Sequence, residues 1–168
     1  MTERTLVLDS KQIDQRIDRL AWQLYEHCYD QKDLIIAGIA ESGFELANRI
    51  CTILIKISGI SVSLVKLEMD KDNPNGTVKI ADGASPDLKG RTVVVIDDVS
   101  NSGRTLMYGV KFFLESEVYS VKTLVLVDRD HNRFPVKTDF VGLSLATTMQ
   151  EHISVEFEGA GKDAVYLD

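Results

Sequence analysis

The chain alternates between short apolar runs that have the character of buried strands and longer stretches in which apolar residues recur at helical spacing. Residues 34–39, 93–96 and 124–127 are almost continuously apolar, and residues 61–67 alternate between apolar and polar positions. Runs of this kind are typical of strands, and the continuous ones are typical of strands buried on both faces. The pattern therefore predicts strands at these four places.

Helices are predicted where apolar residues are spaced three and four apart. The residues on the apolar faces are Ile13, Ile17, Leu20, Ala21, Leu24 and Cys28 in the first helix, Ala47, Ile50, Leu54 and Ile57 in the second, and Leu106, Val110, Phe113 and Leu114 in the third. Ser10 is predicted to cap the first helix, because a serine hydroxyl can accept a hydrogen bond from a free amide of the first turn. Helices that alternate with apolar strands predict an α/β fold, with a central, mainly parallel sheet flanked by helices.

The loops that follow the predicted strands are the first candidates for a ligand site. Ligands of parallel sheets bind at the carboxyl ends of the strands, which here lead into residues 40–43, 97–105 and 128–131. Residues 70–86 contain several breakers of regular structure and are predicted to form a long excursion or hairpin, of the kind that acts as a lid. We expect residues 1–168 to form a single domain, since this length suits one hydrophobic core.

Composition and charge narrow the classes of function. Hydrophobic residues make up 44% of the chain and charged residues 27%, as in ordinary globular proteins. The net charge of −7 disfavours general binding of nucleic acids, whose phosphates attract basic surfaces. Residues 1–9 lack the apolar segment of a signal peptide, and no apolar run approaches the roughly 20 residues that span a bilayer. We therefore expect a soluble, cytoplasmic protein with no membrane partner, in which Cys28 and Cys51 are buried free thiols.

The segment from Val93 to Thr105, which reads VVVIDDVSNSGRT, carries the most specific chemistry. An apolar strand leads into two carboxylates, Asp97 and Asp98, and then into a small polar turn before a helix. A polar strand end with a helix cap explains part of this pattern. A phosphate site explains more of it, because small residues let backbone amides approach an anion, hydroxyls such as that of Ser102 add donors, and the helix dipole favours negative charge. Carboxylates beside phosphate indicate a phosphorylated sugar or a magnesium complex, whereas the glycine patterns of Walker loops and dinucleotide sites are absent from this segment.

The same segment resembles the phosphoribosyl diphosphate (PRPP) signature of type I phosphoribosyltransferases. Residues 5–9 with the helix that follows, residues 36–43 and residues 124–142 extend the similarity over most of the chain, and they resemble the family of pyrimidine-operon attenuators and uracil phosphoribosyltransferases. The DFVG within LVLVDRDHNRFPVKTDFVG also resembles the hypoxanthine-guanine phosphoribosyltransferases. The resemblance implies the type I phosphoribosyltransferase fold, with a flexible lid at roughly 70–86 and a small hood at roughly 143–168.

Roles for individual residues follow from the resemblance. Asp97 and Asp98 would be the catalytic residues, holding the ribose directly or through Mg²⁺, the implied cofactor, and stabilising positive charge that develops at the anomeric carbon. The other implied roles are 5′-phosphate binding by Asn101, Ser102, Gly103, Arg104 and Thr105, diphosphate binding by the loop of Ala40, Glu41, Ser42 and Gly43, and a base pocket formed by Asp128, Arg129, His152 and Ile153.

The implied activity is transfer of the 5-phosphoribosyl group from PRPP to a nucleobase, with uracil ranked ahead of hypoxanthine or guanine. The partners would be PRPP and a nucleobase or nucleoside monophosphate, in a homodimer or other homo-oligomer. Two departures keep a non-catalytic, nucleotide-sensing RNA-binding attenuator as the alternative. Glu41 places a negative charge in the diphosphate loop, and the lid lacks the usual arginine, for which Lys66, Lys71 and Lys79 are the available substitutes. RNA as a partner is disfavoured by the net charge of −7.

Overall fold

The computed structural model describes residues 3–81, 83 and 85–168, so positions 82 and 84 of the predicted lid lie outside the described residues. The helices of this part of the chain are α1 (Ser10–Cys28), α2 (Ala40–Ile57) and α3 (Arg104–Leu114). A membrane crossing would need a longer or more apolar helix than any of those described. The buried residues of α1 are the apolar residues predicted from their spacing. The predicted cap is wrong by one residue: the Asp9 carboxylate accepts a hydrogen bond from the Gln12 amide at 2.8 Å, and the Gln12 side chain accepts one from the Asp9 amide at 2.9 Å.

Two sheets form the strand framework of the described residues. The strands are β1 (Thr5–Leu8), β2 (Asp33–Ile39), β3 (Ser61–Glu68), β4 (Lys79–Ile80), β5 (Thr92–Ser100), β6 (Ser120–Asp128), β7 (Phe140–Ser144), β8 (Ile153–Glu156) and β9 (Ala164–Leu167). The main sheet has the order β4-β3-β2-β5-β6-β7 and is parallel except for the antiparallel β3–β4 pair. The smaller sheet, of order β1-β9-β8, is antiparallel. The predicted α/β fold with a mainly parallel sheet is confirmed, whereas β7 and the smaller sheet are not evident from apolar spacing.

The helices cover both faces of the main sheet. Residues of α1 and α2 pack with Val94 and Ile96 of β5 in one apolar cluster, and residues of α3 pack with Val93 and Val95 of the same strand in a second cluster. Successive side chains of a strand point to opposite faces, so β5 is buried on both sides. This burial explains why its sequence is continuously apolar up to Asp97.

The parallel arrangement brings three strand ends to one edge of the sheet. β5 lies between β2 and β6, with Gly38 level with Ile96 and Ser100 level with Asp128. The segments that follow these three strands therefore meet, as the sequence predicts. β8 of the smaller sheet lies against β5, so the two sheets together enclose the region beyond the end of β5.

Candidate active site

A cleft of about 510 Å³ lies at the carboxyl end of β5, between the start of α3 and the smaller sheet. It brings together most of the residues predicted to form the site. The residues that line it are Lys71, Asp72, the segment 97–106, Arg133 and the segment 152–155. The predicted site residues outside this lining are Ala40, Glu41, Ser42, Gly43, Asp128 and Arg129. A larger groove of about 680 Å³ between α3 and residues 134–139 is mostly apolar and does not include the acid pair, so the polar cleft is the candidate site.

Asp97 and Asp98 share one counter-ion, Lys71. The Lys71 Nζ atom lies 2.6 Å from Asp97 Oδ1 and 3.1 Å from Asp98 Oδ1. Asp97 is 1% exposed, and its Oδ1 also accepts a hydrogen bond from the Asp98 amide at 2.9 Å. Such partners matter because removal from water penalises an isolated charge. The positive charge of Lys71, which lies in the segment after β3, thus faces both carboxyl groups of the pair.

The two carboxyl groups differ in their pKa values. Burial raises the pKa of Asp97 well above its usual range, and the charge of Asp98 acts in the same direction. Burial also acts to raise the pKa of Asp98, but the Lys71 charge and hydrogen bonds to neighbouring groups outweigh it and lower that pKa. Burial acts to lower the pKa of Lys71, but attraction to both carboxylates raises it overall. Asp98 is therefore the more strongly ionised member of the pair, beside a charged ammonium.

The predicted diphosphate loop forms the first turn of α2 rather than a free loop. Ala40 begins the helix with a φ of +53°, a left-handed conformation that residues other than glycine rarely adopt. Gly43 lies against β5: a Cβ atom there would be 2.8 Å from the Ile96 carbonyl oxygen and 3.3 Å from Asp97 Oδ1. Only a glycine allows α2 to approach the acid pair so closely. This turn therefore packs against the acid pair, although its residues are not part of the cleft lining.

Glu41, the residue that departs from the expected chemistry of a diphosphate loop, faces solvent. Its side chain is 88% exposed and forms an ion pair with Lys66 of β3. Water and salt screen an exposed charge, and the lysine offsets it further. The repulsion expected between Glu41 and a bound diphosphate is accordingly reduced.

Residues 101–103 form a tight turn between β5 and α3. Gly103 precedes the helix with a φ of +82° and has no side chain to cap α3, and the Ser102 hydroxyl accepts a hydrogen bond at 3.3 Å from the Arg104 amide, the first of the helix. The Ser102 carbonyl accepts hydrogen bonds from the amides of Arg133 at 2.8 Å and Phe134 at 3.1 Å, which hold the turn in place. A helix N-terminus attracts anions through its dipole and its first-turn amides. The turn therefore has the geometry that the sequence predicts for a phosphate site.

Ser100 is a cleft residue whose importance the sequence pattern does not reveal. It is 2% exposed, and its Oγ atom has no hydrogen-bond partner in the described part of the chain. A buried hydroxyl without a partner is unfavourable, so a ligand or a water molecule in the cleft would satisfy it. The available signal was a hydroxyl residue two positions beyond Asp98, at the last position of β5.

Arg129 joins two loops and does not line the cleft. Its guanidinium donates hydrogen bonds to Asn101 Oδ1 at 2.9 Å, to Thr147 Oγ1 at 2.9 Å, and to the carbonyl oxygens of Thr148 at 3.1 Å and Glu151 at 2.6 Å. These partners lie in the turn between β5 and α3, called the phosphate turn below, and in the segment that precedes β8. The predicted base-facing position of Arg129 is thus replaced by a buried position that bridges the two loops.

The other residues predicted for the base pocket have two different environments. The buried Asp128 carboxylate accepts hydrogen bonds from the Asp130 amide at 2.9 Å and the Thr138 hydroxyl at 2.7 Å, and it lies outside the cleft lining. His152 and Ile153 do line the cleft, across from the phosphate turn. One wall of the cleft is therefore built by β8 and the residue before it.

The acid pair fits Mg²⁺ by the chemistry of its donors. Proteins hold Mg²⁺ through one or two carboxylates together with substrate phosphates and water, and Asp97 and Asp98 supply two carboxylates beside an anion-binding turn. The Lys71 ammonium shows that a cation is accommodated between them. No cluster of three or more potential metal ligands occurs within the described residues.

Known proteins resemble this chain in both sequence and fold. The model of a family described as phosphoribosyl transferase domain matches residues 4–158. Two relatives named bifunctional protein PyrR are those of Clostridioides difficile, 31% identical over 99% of this chain and 99% of its own length, and of Macrococcus caseolyticus, 29% identical over 98% and 99%.

Solved structures add a comparison of the fold. The hypoxanthine phosphoribosyltransferase of Trypanosoma cruzi matches with a TM-score of 0.76 at 16% identity, covering 96% of this chain and 95% of its own. A hypoxanthine-guanine phosphoribosyltransferase of Bacillus anthracis matches with a TM-score of 0.74 at 18% identity, covering 98% of each chain. At such identities the likeness concerns the fold alone.

Proposed function

The chain belongs to the phosphoribosyl transferase domain family, and from this premise we propose that it transfers the 5-phosphoribosyl group of PRPP to a nucleobase, uracil being the first candidate. Membership confirms the predicted assignment to the PRPP-dependent phosphoribosyltransferases. The observation that carries the proposal is the combination, in one cleft, of a buried acid pair and a turn that leads into the N-terminus of α3. The first feature suits a ribose on which positive charge develops, and the second suits its phosphate.

In the proposed reaction a nitrogen of the base releases its proton to water and forms a bond to the anomeric carbon of the ribose, while the bond from that carbon to diphosphate breaks. The electron pair of the broken bond leaves with diphosphate, so positive charge develops on the ribose. Asp98, the more strongly ionised member of the pair, would stabilise this charge as a preorganised anion with Asp97 beside it, which is the opposite in sign of an oxyanion hole. The Asp98 side chain is 14% exposed, which supports direct contact between its carboxylate and a ligand in the cleft.

The remaining roles are proposals that follow the same geometry. The turn of residues 101–105 would bind the 5′-phosphate through amides at the start of α3, the first turn of α2 would face the diphosphate, and His152 with Ile153 would contact the base. Mg²⁺ held by the acid pair would screen the diphosphate charge from this acidic protein. Residues 70–86 would act as a lid that keeps water away from the reacting carbon.

The choice of base rests on sequence resemblance. Curated relatives named bifunctional protein PyrR cover nearly the whole chain at 29–31% identity, and the motifs resemble those of uracil phosphoribosyltransferases. The hypoxanthine phosphoribosyltransferases match in fold at 16–18% identity, which says nothing about the base. We therefore place uracil first and keep hypoxanthine and guanine as alternatives.

A panel of free bases with PRPP and Mg²⁺ tests the activity. We expect uracil to yield nucleoside monophosphate and diphosphate in equal amounts, faster than hypoxanthine or guanine does. PRPP binding without turnover of any base would refute the enzymatic proposal. Asp98→Asn keeps the side-chain shape and removes the charge, so it should lower kcat while leaving the melting temperature nearly unchanged. An Asp98→Asn variant with full activity would remove the acid pair from the mechanism.

A nucleotide-sensing, RNA-binding regulator is the second candidate. It is supported by the word bifunctional in the names of the relatives and by exposed basic residues, Arg133 and Lys137, beside the phosphate turn. The net charge of −7 and the burial of Arg129 weaken it. Filter binding to the leader RNA of the organism's own pyrimidine genes, with and without nucleotide, tests this role. An affinity for RNA that changes neither with salt concentration nor with added nucleotide would exclude this role.

The proposal includes a cytoplasmic location, a homodimer or other homo-oligomer, and one domain over residues 1–168, all of which stay predictions. The use of PRPP, a metabolite of nucleotide synthesis, supports the location. Cell fractionation and sedimentation equilibrium measure the first two, and a single cooperative unfolding transition is expected for the third.

A further inference from the structure

The ammonium group of Lys71 lies between the two carboxylates that the proposed function assigns to ribose and Mg²⁺. Its Nζ atom is within 3.1 Å of both Asp97 Oδ1 and Asp98 Oδ1. Other lysine ion pairs, such as those of Lys66 and Lys79, involve acceptor side chains that are 88% and 44% exposed. The acceptors of Lys71 are 2% and 14% exposed. This contact is therefore far more strongly desolvated than those surface pairs.

The segment that carries Lys71 is itself held in place. The Asp70 carboxylate accepts a hydrogen bond from the Asp72 amide at 3.0 Å, and successive turns are closed by hydrogen bonds from the Asn73 amide to Asp70 and from the Gly76 amide to Asn73, both at 3.1 Å. A second anchor joins this segment to α3, where the Tyr108 hydroxyl donates to Asn75. Residues 70–76 are thus attached to the cleft at Lys71 and to α3 at the neighbouring turn.

We propose that Lys71 is a built-in counter-cation that competes with Mg²⁺ for Asp97 and Asp98, so that the metal with PRPP can bind only as Lys71 withdraws. This inference rests on the proposed function, since it assumes that the acid pair receives the metal. A divalent cation and an ammonium group cannot both remain within hydrogen-bond distance of the same carboxylates without strong repulsion. Withdrawal of Lys71 would also free residues 70–76 from one of their two anchors, and so would couple metal binding to movement of the predicted lid.

The competition is measured with Mn²⁺ alone, by electron paramagnetic resonance of the free ion, because this binding needs neither PRPP nor turnover. Lys71→Met keeps the length of the side chain and removes its charge, and we expect it to bind Mn²⁺ roughly tenfold more tightly than the unchanged chain does. Lys79→Met is the matched control, since Lys79 also belongs to the predicted lid but pairs with the exposed Glu68. The control should stay within about twofold of the unchanged chain, as expected for a screened surface charge.

A second measurement on the unchanged chain does not depend on the folding of a variant. Amine acetylation followed by mass spectrometry should label Lys71 slowly in the absence of metal and faster at saturating Mg²⁺, while labelling of Lys79 stays constant. The inference would be overturned if Lys71→Met bound Mn²⁺ no more tightly than the unchanged chain does. It would also be overturned if Lys71 were labelled at the same rate with and without Mg²⁺. If the base panel yields no product but both measurements behave as expected, the counter-cation role stands and the transferase activity fails. If the base panel yields product but Lys71→Met binds Mn²⁺ no more tightly than the unchanged chain does, the transferase activity stands and the counter-cation role fails.

Discussion

Gly103→Ala tests whether the turn before α3 depends on glycine for both its backbone and its packing. The φ of Gly103 is +82°, and a Cβ atom there would lie 2.7 Å from Val136 Cγ1 and 3.4 Å from the Phe134 carbonyl oxygen. The left-handed conformation costs an alanine about 1–2 kcal/mol, and the added contact costs roughly 1–3 kcal/mol more. We therefore expect the free energy of unfolding to fall by about 3 kcal/mol.

Two other glycines separate these contributions. Gly90 has a φ of +71° and no heavy atom of the described residues within 4 Å of a built Cβ atom, so Gly90→Ala should show the backbone cost alone. Gly59 likewise has no such neighbour, and its φ lies outside the left-handed range, so Gly59→Ala should change stability by less than about 0.5 kcal/mol or raise it slightly. Adding Val136→Ala to Gly103→Ala should recover the packing part of the loss but not the backbone part, as a double-mutant cycle would register.

Urea unfolding gives the stability differences, and calorimetry with PRPP gives the ligand affinity at Mg²⁺ saturation. We expect Gly103→Ala to weaken PRPP binding at least tenfold, or about 1.4 kcal/mol, because the turn must shift away from the position at which its amides meet the phosphate. Gly90→Ala should leave affinity unchanged. A Gly103→Ala protein no less stable than Gly90→Ala would contradict the packing argument. Undiminished PRPP affinity would contradict the phosphate-site assignment.

Three further predictions concern buried polar and ionisable groups. Arg129→Met removes the donor of four hydrogen bonds and should lower the free energy of unfolding by about 3 kcal/mol. We expect KM for PRPP to rise by a larger factor than kcat falls. A change in kcat alone would contradict the bridging role. Burial raises the pKa of the Cys51 thiol to about 12, so at about pH 8 a thiol reagent should react only after unfolding, and rapid reaction of the native protein would show that Cys51 is accessible. Burial acts to raise the pKa of Asp163, but the hydrogen bond from Arg49 outweighs it and lowers that pKa. Because a lowered folded-state pKa adds stability above the ordinary value of roughly 3.9 that is lost as the pH falls, Arg49→Met should flatten the acid-unfolding curve below about pH 4, and an unchanged slope would contradict this.

Local features of the site could be predicted from the sequence because they depend on neighbours along the chain. The apolar run of β5, the acid pair and the turn at residues 101–103 are all set by adjacent residues, and the buried face of α1 follows from its spacing. The helix cap shows the limit of such reasoning, because Asp9 and Ser10 are both good capping residues. Backbone geometry decides between them, and it favours Asp9, which has Gln12 three residues later.

Contacts between distant segments could not be predicted in the same way. The partners of Arg129 lie up to 28 residues away along the chain, and nothing in its immediate sequence separates a bridging guanidinium from one that faces a ligand. The pairing of Lys71 with Asp97 spans 26 residues and depends on how the segment after β3 turns back over the sheet. The short strands β8 and β9 have only four residues each, which is too few for apolar spacing to reveal them.

The small antiparallel sheet has a consequence for the order in which the site can assemble. The acid pair and the phosphate turn come from one continuous stretch, residues 92–114, whose closure requires little loop entropy. The opposite wall depends on Ile153, whose strand pairs with β9, which in turn pairs with β1, so that Thr5 lies level with Leu167. Contacts of such high sequence separation form late in folding. A nascent chain would therefore acquire first the half of its cleft that carries the acid pair and the turn before α3, and the opposite half only when β9 pairs with β1.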